Sequence, residues 1–179
     1  HSGTDIGSLE PDIDDCICEL LLAQMGSSGR RYRRETTQAA RRLVSEIYSP
    51  PRVTQLLHET RHKHLMPGFA FDITMVDPVD GQPWDFALEH KRRRARAMIR
   101  EQRPYVLIGS PMCTQFCTWQ KLNEAKSSDK AAVRRAREAA IVHMNFVAEL
   151  YEEQVQGGRY FVHEHPLWAT SWELACISK

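Results

Sequence analysis

Two short stretches carry the side chains able to do covalent chemistry: Gly109-Ser-Pro-Met-Cys113 and His163-Glu164-His165-Pro166. The uncharged run 105–108 meets Gly-Ser-Pro and then a thiol, the pattern of a buried parallel strand that ends in a functional loop. Cys113 is therefore a candidate nucleophile, with core packing as the competing reading. Residues 159–166 read as another short strand, whose carboxyl end presents His163, Glu164 and His165. Strands of one parallel sheet end on the same edge, so Cys113 and Glu164 are expected to meet in the crevice beyond it. His163 and His165, one residue apart on a strand, point to opposite faces and make a poor metal pair. A thiol hydrolase pairing Cys113 with either histidine is a further arrangement, but no glycine loop is present to donate to an oxyanion. Trp119, six residues after Cys113, excludes a phosphatase-type Cys-x5-Arg loop.

The elements that must position these groups follow a strand-helix alternation. Residues 43–48 read as a strand, Ser49-Pro-Pro-Arg52 as a tight turn, and 53–64 as a helix. This is a first βα unit, in which a nucleotide-like group is held. Two prolines remove backbone donors there, so only a cofactor without phosphates fits the loop. Residues 69–74 form a second strand with Asp72 near its end, where a carboxylate matches two adjacent ribose hydroxyls. Asp77-Pro-Val-Asp-Gly81 is a turn, and Pro83-Trp-Asp-Phe86 sets Asp85 before a helix, a place that an N-cap would also occupy. Residues 88–102 form that helix, with Leu88, Ala95, Met98 and Ile99 on one face and Lys91, Arg92, Arg93, Arg94, Arg96 and Arg100 elsewhere. Arg92, Arg93 and Arg96 are candidate phosphate contacts for a nucleic acid; a solvated face is the plainer reading. Residues 121–129 read as a polar connection and 131–156 as a long helix, with Val133, Ala140, Met144, Val147, Tyr151 and Val155 facing the core and Gly157-Gly158 ending it. His58, His62 and His64 read as an exposed helix end rather than as metal ligands.

Residues 1–34 stand apart: Leu9, Ile13, Cys16, Leu20 and Leu21 recur at helical spacing, and Gly26-Ser-Ser-Gly29 leads into Arg30, Arg31, Arg33 and Arg34 around Tyr32. The expected organisation is an amino-terminal helix and basic linker (1–34), then one α/β domain (35–179). The single-thiol spacing of Cys16 and Cys18 is a packing pattern rather than a zinc site. The chain has 179 residues, 26% of them charged, with a net charge of +1. Whole-chain electrostatics therefore do not mark a nucleic-acid binder, and local patches must carry that argument. With five cysteines, no apolar signal segment and no run near the ~20 apolar residues that span a bilayer, the expectation is an intracellular protein, cytoplasmic or nuclear, with reduced thiols and no membrane partner. His1-Ser-Gly reads as an appended remnant, and the end at Lys179 as a cut within a longer polypeptide. The oligomeric state is not legible.

With a Pro-x-Cys after one strand and a Glu after the next, the sequence resembles the catalytic core of cytosine-5 DNA methyltransferases over residues 43–172. Pro111-Met-Cys113-Thr-Gln-Phe116 is similar to their Pro-Cys nucleophile loop and Phe161-Val-His-Glu164-His-Pro to their Glu-Asn-Val strand. The four segments Ser-Pro-Pro-Arg-Val, Pro-Trp-Asp-Phe, Gly-Ser-Pro-Met-Cys and His-Glu-His-Pro are also similar to methyltransferase-like segments of retroelement polyproteins. The resemblance implies a three-layer Rossmann-like, mainly parallel sheet, a partial class I methyltransferase core, with S-adenosylmethionine as cofactor and nucleic acid, DNA first, as partner. It implies Cys113 as the nucleophile toward cytosine C6 and Glu164 as the group holding N3 and the exocyclic amine. It places Tyr48, Ser49, Pro50 and Pro111 along the cofactor, Asp72 on its ribose and Asp85 on its adenine amine. The family's glycine-rich first loop is here Tyr48-Ser-Pro-Pro-Arg52, and His165-Pro166 stands for Asn-Val. No Gln-x-Arg-x-Arg motif or target-recognition domain lies within the chain. The competing function is a catalytically inactive methyltransferase-fold module that binds nucleic acid or protein.

Overall fold

The computed structural model describes residues 42–60, 62 and 64–178. These belong to a compact unit that begins at Arg42. The amino-terminal helix, Cys16 and Cys18, the arginines 30–34 and residues 35–41 of the expected α/β domain lie outside the described residues.

Four short strands form one parallel sheet in the order β2-β1-β3-β4: β1 (Arg42–Ile47), β2 (Leu65–Phe71), β3 (Val106–Gly109) and β4 (Tyr160–His163). The helices between them are α1 (Val53–Thr60), α2 (Glu89–Gln102), α3 (Trp119–Lys126) and α4 (Lys130–Gln156). This is a Rossmann-like α/β layout. Among the described residues the sheet is wholly parallel, and no helix is long and apolar enough to cross a membrane.

The two central strands supply the core. Ile47 and Leu107 meet Phe71, then Ala95 and Ile99 of α2 and Phe146, Val147, Leu150 and Tyr151 of α4. Side chains alternate along a strand, so Val44 and Glu46 face the other way. Glu46 there meets the start of α1 through hydrogen bonds to Arg52, Val53 and Thr54. Pro67 is tolerated in β2 because that strand is an edge of the sheet. A second cluster, Phe116, Ala140, Met144 and Ala169, pins the loop after Cys113 against α4 and the carboxyl-terminal segment.

Several boundaries differ from the sequence expectation. β2 ends at Phe71 rather than running to Thr74. Asp72 stops it by accepting from the amide and hydroxyl of Thr74 at 3.0 and 2.6 Å, a turn that competes with the ladder. α1 stops at Thr60. Residues 119–126, expected as part polar connection, form α3. Val155 is 60% exposed rather than core-facing, and Lys91, expected on a solvated basic face, is fully buried.

Lys91 owes its burial to charge. Its ammonium pairs with Asp77 at 3.1 Å and Asp80 at 2.7 Å, and Asp77 also pairs with Arg94 at 2.6 Å. Burial alone would raise the Asp77 pKa; the Val79 amide, Lys91 and Arg94 outweigh it and hold the carboxyl below its usual range. The cluster fastens the turn 77–82 to α2 and thereby sets where Trp84 and Asp85 stand.

Candidate functional site

All four strands run toward the same edge, and two adjoining pockets open there. One, of about 370 Å³, is lined by Tyr48, Ser49, Arg52, Ser110, Pro111, Cys113, Glu164, His165 and Pro166. The other, of about 250 Å³, is lined by Tyr48, Asp72, Ile73, Trp84, Asp85, Phe86, Ser110, Met112 and His143. Tyr48 and Ser110 belong to both and form the shared wall.

The first loop is built without glycine. Tyr48 adopts φ 58°, the left-handed conformation that glycine takes at low cost. For tyrosine this costs on the order of 1 kcal/mol, and its side chain offsets the strain. The ring packs on Phe86 with centroids 4.8 Å apart, and the hydroxyl lies 2.8 Å from His143 Nδ1. Burial pushes the Tyr48 hydroxyl pKa far up and the His143 pKa down, so both are neutral near pH 7.

The anion site expected at a helix start is already filled by the chain itself. Glu46 is 1% exposed. Its carboxylate accepts from the amides of Arg52, Val53 and Thr54 at 3.1, 3.2 and 2.8 Å and from the Thr54 hydroxyl at 2.6 Å. These amides would otherwise cradle a phosphate. Pro50 is held behind them, its carbonyl accepting from the Ser49 hydroxyl at 2.8 Å.

Asp72 and Asp85 line the smaller pocket from the ends of different segments. Each commits one oxygen locally: Asp72 Oδ1 to Thr74, and Asp85 Oδ1 to the Ala87 amide at 2.9 Å. Among the described residues no hydrogen bond occupies Oδ2 of either. Asp85 is not the N-cap of α2, a position held by Leu88. Ile73 and Met112, 59% and 48% exposed, supply the open apolar surface beside the two carboxylates, over a floor formed by the buried Trp84 and Phe86.

In the larger pocket, Cys113 caps a 3-10 turn, Thr114–Phe116, whose Phe116 amide donates to the Cys113 carbonyl at 2.8 Å. Phe116 is fully buried and fixes this turn. Glu164 is placed from β4, its amide donating to the Gly109 carbonyl at 2.9 Å. Its Oε2 accepts from the Ser110 hydroxyl at 2.9 Å. His165 Nε2 donates to the Pro111 carbonyl at 3.1 Å, and Nδ1 engages Ser171 Oγ. Both imidazole nitrogens of His165 are thus engaged, Nε2 by the loop before Cys113 and Nδ1 by the carboxyl-terminal turn that holds Ser171. His163 faces away toward Tyr151, at 3.0 Å. Neither histidine is hydrogen-bonded to Cys113, so the thiol-hydrolase arrangement has no imidazole base in place.

The three candidate phosphate contacts on α2 fare differently. Arg92 pairs with Glu89 at 2.7 Å and Arg96 with Glu149 at 2.8 Å, so both have carboxylate partners. Arg93 is exposed. Among the described residues no group of three or more His, Cys, Asp or Glu is arranged to hold a metal ion.

Ser110, Arg52 and His143 escaped sequence reasoning as site residues, and His165, weighed there as a thiol partner or metal ligand, instead braces the loop before Cys113. Ser110 and Arg52 were visible as neighbours of singled-out positions; His143 sits mid-helix and carries no local signal. Comparison with protein-family models, with curated proteins and with solved structures finds no significant match to this chain.

Proposed function

We propose that the chain is the core of an S-adenosylmethionine-dependent methyltransferase acting on cytosine in nucleic acid through a cysteine nucleophile. The observation that carries this reading is the shared wall of Tyr48 and Ser110 between a pocket holding Asp72 and Asp85 and a pocket holding Cys113 and Glu164. A group transfer needs its donor and acceptor in adjoining spaces with the reacting atoms meeting at the partition.

The residues present fit the cofactor. The Oδ2 atoms of Asp72 and Asp85 are available to accept from hydroxyl and amine donors, Ile73 and Met112 offer apolar surface, and Glu46 leaves no room for a phosphate at the α1 amides. S-adenosylmethionine supplies an electrophilic methyl group on a sulfonium.

In this reading the Cys113 thiolate bonds to C6 of a cytosine turned out of its stack, which makes C5 nucleophilic. Glu164, with Oε2 held by Ser110, presents Oε1 to the N3 and exocyclic-amine edge and stabilises the adduct. Once C5 has accepted the methyl group, its proton leaves, the double bond re-forms and the Cys113 thiolate is expelled. His165 acts as a positioning residue, fixing the Pro111 carbonyl and so the approach of the thiol. Arg52, exposed beside this pocket, is placed to meet a backbone phosphate.

The test is twofold. Calorimetric titration with S-adenosylmethionine should give binding that Asp72→Ala and Asp85→Ala each weaken by about tenfold. DNA and RNA oligonucleotides containing 5-fluorocytosine should form a denaturation-resistant adduct lost in Cys113→Ala. Cofactor binding without any adduct would favour the inactive-module reading, and absence of both would reject the fold's use of S-adenosylmethionine.

A further inference from the structure

Beyond β4 the chain passes along the Cys113 pocket and then makes one tight turn. Glu164, His165 and Pro166 line that pocket. The Pro166 carbonyl accepts from the Ala169 amide at 3.0 Å, closing a four-residue turn with Leu167 and Trp168 at its two corners. Turn corners are ordinarily Gly, Pro, Asn, Asp or Ser, which suit the backbone and the solvent. Here they carry the two most exposed large apolar side chains among the described residues, at 76% and 78%.

The turn is braced from several sides. The Trp172 indole donates to the same Pro166 carbonyl at 2.8 Å, and Ala169 is buried in the cluster with Phe116 and Met144. The Thr170 hydroxyl donates to the Phe116 carbonyl at 3.3 Å, and Ser171, fully buried, engages His165 Nδ1. Phe116 is also the residue whose amide closes the 3-10 turn on Cys113. The exposed tip and the thiol are therefore fixed to one frame. Apolar side chains stabilise a fold by leaving water, and Leu167 and Trp168 do not. A lone exposed hydrophobe is ordinary, but an adjoining pair displayed on a braced turn beside a pocket marks a contact surface.

The pocket indicates what meets it. A cytosine reaches Cys113 only after leaving its stack, and the place it vacates is a slot one ring thick between the faces of two bases. Apolar side chains that enter such a slot hold the duplex open, and an aromatic ring stacks on a base whatever its identity. Arg52, exposed on the same pocket, supplies a cation for the backbone of that strand.

We propose that Leu167 and Trp168 are a wedge that enters duplex DNA beside the target cytosine, the Trp168 indole taking the place that the cytosine leaves in the stack. This role rests on the methyl-transfer reading above and adds to it the form of the substrate, a duplex whose stack must be held open.

The experiment uses the full chain, without S-adenosylmethionine, and fluorescein-labelled DNA duplexes that are intact or carry one abasic site, a slot already vacated. Affinity is read from fluorescence anisotropy. The expected result is that the abasic duplex binds about tenfold tighter than the intact one. Trp168→Ala should erase that preference and Trp168→Phe should restore most of it. No preference, a preference that survives Trp168→Ala, or no binding to either duplex would each overturn the wedge. So would sedimentation showing a wild-type dimer that Trp168→Ala dissociates, because the tip would then be covered by a second copy. The methyl-transfer reading is decided separately, by the Cys113-dependent adduct on single-stranded oligonucleotides containing 5-fluorocytosine, where no stack has to be held open.

Discussion

The Tyr48 hydroxyl lies 2.8 Å from His143 Nδ1, joining the loop after β1 to the middle of α4. A residue held in the left-handed region is thereby tied to the helix that carries much of the core. Tyr48→Phe should cost about 1–2 kcal/mol by leaving a buried imidazole nitrogen unsatisfied, and should weaken S-adenosylmethionine binding. Tyr48→Gly removes the strain but also the ring contacts with Phe86 and Phe146. It should be less stable than Tyr48→Phe, as urea denaturation would reveal.

Glu46 makes the first βα turn a closed structural unit. Glu46→Ala removes a buried carboxylate that satisfies three amides and a hydroxyl, and should destabilise by about 3 kcal/mol or more. Glu46→Gln retains one acceptor oxygen and should lose roughly half as much. If the two variants unfold at the same urea concentration, the carboxylate is not the cap.

At Gly109 β3 packs directly against Tyr151 and Val147 of α4. A Cβ there would collide with the Tyr151 phenol and approach a Val147 methyl to 2.9 Å. Gly109→Ala should therefore cost about 1–3 kcal/mol and displace the Tyr151 hydroxyl from both Gly109 and His163. A fluorine-19 label on tyrosine would report that displacement even where the variant still folds.

Acid should unfold this protein partly through histidine. Burial depresses the folded pKa of His143, His163 and His165, that of His163 to about 4, against an unfolded value of ~6.5. The unfolded chain binds more protons between these values, so stability rises with pH across that window and is lost as pH falls from about 6.5 toward 4. For His163 the loss is of order 2 kcal/mol, reduced from the full linkage value because the ring is partly accessible. Urea midpoints at pH 7 and pH 5 should differ less in His163→Phe than in the wild type; an equal difference would remove this histidine from the acid response.

What the amino-acid order determined by itself was local and periodic. The uncharged run before Gly109, the Pro-Pro turn after β1, the apolar stripe of α4 and the Gly-Gly that ends it each act within a few residues, so type and spacing reveal them. Alternating strands and helices sufficed for a parallel sheet, and a parallel sheet sufficed to send Cys113 and Glu164 to one edge. The tertiary structure alone decided the rest, because it depended on partners distant in the chain. Lys91 reads as one more solvated cation until Asp77 and Asp80 bury it. Arg96 reads as a phosphate contact until Glu149, fifty-three residues away, claims it. Tyr48 departs from a glycine-rich loop in sequence, yet its positive φ becomes tolerable once Phe86 and His143 pack around it. Periodicity reports which face of an element is apolar; only packing decides which polar group meets its partner and which, like His163 Nε2, is buried without one.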